Sequence, residues 1–319
     1  MKGERPFIAI VGPTASGKSE VAQCVAEMLD AHVLSADSMQ VYRGMDIGTG
    51  KVIPEQMRVE HYGLDLVDPG QPFSAALYQE YGRKVLDQAL EAHRQMVICG
   101  GTGFYLRALI DEFEFPAGEQ VGNPIRDRYN AILDEQGPHA LWLLLEEADP
   151  ESAAIIHEND SKRVVRAFEL LAEGTTYHEQ KRKFSSIAQH YPTMMFGLKV
   201  SPGVLNGRID ARVDSMIADG LVDEVKGLLD RGFREGITAQ QAIGYKEIVA
   251  YLDGACSLDD AITQIKIATH RYAKRQRTWF RKDARIHWLD ADEYDARLLA
   301  ERIVSAVNGD GTTIAPHES

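Results

Sequence analysis

Residues 12 to 19 read Gly12-Pro13-Thr14-Ala15-Ser16-Gly17-Lys18-Ser19, which fits the pattern G-x-x-x-x-G-K-[ST] at every fixed position. The flanks suit it too. Residues 7–11 form a short apolar run of the kind that makes a buried parallel strand. Residues 20–29 place Val21, Val25, Met28 and Leu29 at helical spacing. Between such a strand and helix, glycines let backbone N–H groups close around phosphate oxygens. The helix N-terminus adds a favourable partial charge and Lys18 a full one. Ser19 offers a hydroxyl to Mg²⁺. The motif points to a phosphorylated ligand without saying which one, or whether the phosphoryl group is what moves.

At 319 residues the chain has length for about two domains. Its 44% hydrophobic and 26% charged residues are the balance of an ordinary globular protein. No apolar run approaches the roughly 18 residues of a membrane span, and no signal peptide precedes the first strand. Cys24, Cys99 and Cys256 are few, odd in number and without zinc spacing. They read as reduced cysteines of a cytoplasmic protein. A net charge of −13 argues mildly against nucleic acid as a partner, but the charge is uneven. Residues 271–285 hold seven basic residues and one acid, Asp283.

The first third alternates short apolar runs with amphipathic segments, which predicts an α/β fold with a parallel sheet covered on both faces. Strands are expected over residues 31–36, 64–67 and 96–99, and a helix over 74–95. Strand character returns at 194–200 and 286–289, while 124–185 is helical in pattern. The chain thus divides into a discontinuous core, residues 1–115 and 190–307, and a helical insertion, 116–189. Residues 308–319 read as a disordered tail. The ligand belongs at the carboxyl ends of the strands.

Asp37 follows the second strand, and three roles are open to it: turn residue, Mg²⁺ ligand, or general base. Gly100-Gly101-Thr102-Gly103 ends another strand, permits close backbone approach and supplies the Thr102 hydroxyl. Lys162, Arg163 and Arg166 open a helix in the insertion and suit a solvated face or a phosphate backbone equally. Arg208 and Arg212 stand four apart on a helix predicted over 207–218. There they can clamp a diphosphate or pair with Asp210 and Asp214. In residues 271–285, at about 100° per residue, Arg271, Lys274, Arg275, Arg281, Lys282 and Arg285 share one arc, with Tyr272 and Trp279 opposite, toward the core. A basic stripe on a docked helix suits a nucleic-acid backbone.

With these motifs in place, the chain resembles the bacterial tRNA dimethylallyltransferases, also called tRNA isopentenyltransferases. The likeness rests on GPTASGKS (12–19), SADSMQVYRGMDIGT (35–49), GGTGFY (100–105), QAIGYKEI (241–248) and AKRQRTWFRKD (273–283). It implies an α/β fold, a P-loop NTPase-like parallel sheet core with a helical insertion domain. It also implies transfer of a dimethylallyl group from dimethylallyl diphosphate to N6 of the adenosine 3′ to the tRNA anticodon. Residues 12–19 with Arg208 and Arg212 would hold the diphosphate, and Ser19 the Mg²⁺. Lys18, Thr102 and Arg212 would join Asp37, as base, in catalysis. The anticodon stem-loop would meet Asp37, Ser38, Met39, Gln40, Thr102 and Arg126. It would also meet Ser161, Lys162, Arg163, Val164 and Val165, then Ala242, Ile243, Gly244, Tyr245, Lys246 and Glu247, and finally Lys274, Arg275 and Arg281. A monomer is expected. The alternatives are a phosphate-loop kinase of a small metabolite and a non-catalytic RNA-binding ATPase; the length of the basic stripe counts against the kinase.

Overall fold

The protein, seen here as a computed structural model, is described for residues 5–115, 123–185 and 187–309. The tail expected over 308–319 falls largely outside them. It divides into two compact units, one taking the chain up to Ile110 and again from His190, the other Asp111–Gln189.

The first unit begins with β1 (Phe7–Val11), α1 (Lys18–Leu29), β2 (His32–Ser35) and β3 (His61–Tyr62). It continues through α2 (Ala75–Glu91), β4 (Met96–Gly100) and α3 (Gly103–Ile110). The second unit holds α4 (Pro124–Ala148), α5 (Pro150–Ala153), α6 (Ser161–Ala172) and α7 (Tyr177–Ser185). The chain then returns through β5 (Thr193–Lys199), α8 (Pro202–Ala218), α9 (Leu221–Leu229) and α10 (Tyr245–Leu252). It closes with α11 (Leu258–Phe280), β6 (Ile286–Asp290) and α12 (Ala296–Asn308).

Among the described residues, six strands form one parallel sheet in the order β3-β2-β4-β1-β5-β6. Side chains alternate faces along a strand. Ile8 and Ile10 therefore pack with Val21 and Val25 of α1 and Leu299 and Ile303 of α12. Phe7, Ala9 and Val11 pack on the other face with Leu86, Leu106 and Ile110. Burial on both faces is why β1 reads as an unbroken apolar run. The strand expected over 64–67 is corrected: the edge strand is His61–Tyr62, and Val67 makes an isolated bridge to Tyr42.

In the helical unit, Leu141, Leu145, Val164, Val165 and Phe168 form the core. The Tyr129 ring stacks on Phe168 at 3.7 Å. Within α4 the helix is broken at Gly137, whose φ of 83° precedes Pro138, a residue that cannot continue the hydrogen-bond ladder.

Candidate active site

A cleft of about 450 Å³ lies at the carboxyl ends of β1, β2 and β4, where open parallel sheets bind ligands. Lys18, Asp37, Gln40, Arg212, Tyr272 and Gln276 line it.

Its floor is the loop after β1. Gly17 caps α1 at φ 86°, in the left-handed region that glycine enters freely, and Ala15 enters it at φ 61° despite its Cβ. Backbone of this kind at a helix start makes an anion-binding concavity. The Ser16 hydroxyl is buried and, among the described residues, has no hydrogen-bond partner. Such a hydroxyl costs free energy unless a ligand satisfies it. Lys18 Nζ donates to the Pro13 carbonyl at 3.4 Å. Burial lowers its pKa below the ordinary lysine value; Cys99 and Asp37 oppose that shift and Arg212 adds to it. The Cys99 thiol is pushed up to about 11, chiefly by burial.

Asp37 sits just past β2. Its Oδ1 accepts the Met39 N–H at 2.9 Å, and among the described residues no other hydrogen bond engages the carboxylate. The loop after β4 is tied against it: Thr102 N–H donates to Ala36 O at 3.2 Å, and Thr102 Oγ1 accepts the Ser38 N–H at 3.1 Å. A Cβ on Gly100 would strike the Ala36 carbonyl, so this close approach requires glycine.

Arg212, from α8, forms part of the opposite wall. Its Nη2 donates to Thr49 O at 3.1 Å, and Gln40 Nε2 reaches Thr49 O and Gly50 O at 3.5 and 3.4 Å. Burial lowers the Arg212 pKa, while the Asp37 charge raises it. The loop carrying Thr49 is itself anchored. Backbone N–H groups of Asp46, Ile47 and Gly48 donate to the Glu224 carboxylate at 3.1, 2.8 and 3.3 Å. The Tyr245 hydroxyl donates to Glu224 at 2.6 Å.

A third strap comes from α11. Gln276 Oε1 accepts the Thr14 N–H at 2.9 Å, and its Nε2 donates to Gly101 O at 2.9 Å. Tyr272, one turn earlier, bonds Thr102 and Gln276, and Arg275 lies over its ring at 5.7 Å. A phosphate loop with a lysine, a carboxylate, a buried arginine and a cationic helix rim suits an anionic leaving group beside an acceptor that must lose a proton.

The comparisons with known proteins agree on one family. A model of the IPP transferase family matches residues 40–283. The chain belongs to the IPP transferase family. A tRNA dimethylallyltransferase of Syntrophus aciditrophicus is 42% identical over 90% of this chain and 93% of its own. One from Carboxydothermus hydrogenoformans is 42% identical over 94% and 96%. The crystal structure of the tRNA isopentenylpyrophosphate transferase from Bacillus halodurans aligns with a TM-score of 0.68 at 38% identity, covering 96% of this chain and 97% of that one. A eukaryotic dimethylallyltransferase acting on tRNA aligns at 0.77 with 26% identity, covering 98% and 81%.

Within this IPP transferase, several sequence-based assignments are corrected. Arg208 is exposed and absent from the cleft lining; its charge is felt by Asp292, so Arg212 stands in the cleft without it. The Val164 and Val165 side chains are buried in the helical core. Tyr245 is fully buried on Glu224, and Ala242 and Gly244 are also buried; Glu247 caps α10 through the Gly244 N–H. Ile243 is half-buried and Lys246 exposed beside Glu247. α11 ends at Phe280, so Arg281 and Lys282 lie past its last turn, and Arg285 is bound by Asp283. Tyr272 faces the cleft instead of the core, and Trp279 packs over Gly103 while staying 39% exposed. Lys274 and Arg275 are exposed. In the helical unit, Arg126 and Arg166 bind the buried Glu169, Arg163 pairs with Asp160, Ser161 opens α6 and Lys162 is exposed. Sequence reasoning missed Glu224 and Gln276. The latter shares the face of Tyr272 and Trp279 at i, i+4 and i+7, the one signal available for it.

Among the described residues, no group of three or more His, Cys, Asp or Glu is placed to hold a metal ion. Ser19 and Asp37 nonetheless offer hard oxygens at the phosphate loop. That sparse oxygen set fits Mg²⁺, which takes most of its ligands from substrate phosphates and water.

Proposed function

We propose that this protein transfers a dimethylallyl group from dimethylallyl diphosphate to N6 of the adenosine 3′ to the tRNA anticodon, releasing diphosphate. The observation that carries the reading is the convergence of the phosphate loop, Asp37 and Arg212 in one cleft rimmed by Arg271 and Arg275. The relatives' names supply the reaction class. A small-metabolite kinase is disfavoured, since its substrate needs no cationic helix.

The diphosphate would lie in the loop 12–19, on backbone N–H groups other than that of Thr14, which Gln276 holds, with the Ser16 hydroxyl, Lys18 and Arg212 donating to its oxygens. As the allylic C–O bond breaks, its electron pair passes to the diphosphate, and these fixed donors stabilise the growing charge. Ser19 would hold Mg²⁺, which when bound would add positive charge beside the diphosphate. The N6 lone pair forms the new bond to the allylic carbon. An exocyclic purine amine is a weak nucleophile, so Asp37 takes the proton it sheds. Thr102, fixed between Ser38 and Tyr272, orients the entering base, which leaves its stack to reach the cleft. Ser38, Met39 and Gln40 flank that base, while Lys274, Arg275 and Arg281 meet the phosphate backbone. In the helical unit, Lys162 and Arg163 are the candidates for contact with an RNA backbone. A tRNA substrate supports a cytoplasmic location. Among the described residues, no helix is long and apolar enough to cross a membrane.

The test is incubation with tRNA and either dimethylallyl diphosphate labelled in the allyl carbons or γ-labelled ATP. Label from the allyl donor is expected in the RNA with stoichiometric diphosphate. Label passing solely from ATP, as a phosphoryl group, overturns the reading.

A further inference from the structure

Gln276 sits at the junction of two surfaces that the proposed reaction must bring into register. It is 5% exposed, although it lies in the most cationic stretch of the chain, between Arg275 and Arg277. Its amide spans two loops far away in sequence, accepting from Thr14 N–H in the phosphate loop and donating to the Gly101 carbonyl after β4, both at 2.9 Å. The approach is tight enough that a Cβ on Gly101 would collide with Gln276 Nε2. An amide meets this demand at any pH, whereas a lysine or arginine cannot accept from Thr14 and an ionised glutamate cannot donate to Gly101. Burying an amide is costly unless both ends are paired, and here both are.

The same helix carries exposed Lys274 and Arg275. Any rotation or slide of α11 on binding RNA therefore moves the group that sets the Thr14 peptide, and with it the loop whose other N–H groups would face the diphosphate. We propose that Gln276 is a positioning residue that couples RNA docking on α11 to the shape of the diphosphate loop. The coupling rests on the function proposed above, and by linkage it is reciprocal: RNA tightens diphosphate as much as diphosphate tightens RNA.

The experiment measures the affinity of inorganic diphosphate with Mg²⁺, with and without a saturating anticodon stem-loop RNA. Wild-type protein is expected to bind diphosphate about tenfold more tightly with the RNA present, within the usual range of coupling. Gln276→Met, close in shape but unable to make either bond, should bind the RNA alone within about twofold of wild type and show a coupling factor near one. Gln276→Glu is the second variant. Its ionised form loses the donor to Gly101, whereas its protonated form has both an acceptor and a donor. Its coupling should be weak at about pH 8 and recover toward about pH 5.5, relative to wild type at each pH. A residue that merely filled space would give no such profile. A full coupling factor in Gln276→Met, no factor in wild type, or a flat profile in Gln276→Glu overturns the proposal. Label transfer without coupling rejects this inference alone, whereas absence of transfer rejects the function beneath it.

Discussion

Three arginines illustrate how differently the two units use charge. In the α/β unit, Arg212 donates to a backbone carbonyl at the cleft wall and feels the Asp37 charge without forming an ion pair to it. In the helical unit, Arg126 and Arg166 close on Glu169, which is 1% exposed, at 2.6 and 2.8 Å. The first arrangement leaves a cation directed at a ligand. The second engages Arg126 in tying α4 to α6 and Arg166 in a pair within α6. What separates the two arrangements is the buried carboxylate.

The largest effect that would sharpen this contrast is Asp37→Ala. Turnover should fall by about 10³-fold, the scale of a lost general base, while tRNA affinity stays within a few fold. Equal losses in a steady-state assay and a binding assay would give Asp37 a binding role instead. Glu169→Gln should act on the other unit, leaving two guanidiniums without their buried partner at a cost of about 3 kcal/mol, read by denaturant unfolding. The pH dependence follows from the same knot. Burial alone would raise the Glu169 pKa, but hydrogen bonds from Arg126 and Arg166 hold it below 4.5. The pair's stabilisation is therefore present above the unfolded value and lost as pH falls through the lower folded one. Wild-type protein should lose stability relative to Glu169→Gln below about pH 4.5, and parallel pH profiles would break the comparison. The smallest effects belong to Lys274→Ala and Arg281→Ala. Each should weaken tRNA binding by several fold and reduce the salt slope by about one unit. An unchanged slope would remove that cation from the RNA interface.

The sheet was largely readable because buried parallel strands such as β1 and β4 are unbroken apolar runs between helical patterns. The misplaced edge strand was not, since His61–Tyr62 is short, polar and half-buried, with little hydrophobic periodicity to reveal it. The end of α11 was equally silent. Arg281 to Asp283 stop the helix through turn hydrogen bonds to Arg277, Trp279 and Phe280 carbonyls, with no glycine or proline to mark the boundary. In the cleft, the phosphate loop and Asp37 are local motifs and so visible. Gln276 and Glu224 are defined by partners far off in the chain, Thr14 and residues 46–48 respectively. No local pattern carries that information. Tyr245 shows the converse: a motif residue expected to touch RNA is instead the brace under Glu224.

The place of β1 between β4 and β5 has a consequence for how the chain is made. Phe7 pairs with Thr193, so the strand that feeds the phosphate loop waits for a neighbour on the far side of the entire helical unit. Such distant pairing is slow, because a long loop must close before any contact rewards it. The helical unit is contiguous and can close its core around Leu141 and Phe168 while β5 is still being synthesised. During translation, four of the six strands must therefore stay competent to pair, with one flank of β1 bare, until the ribosome has passed residue 199.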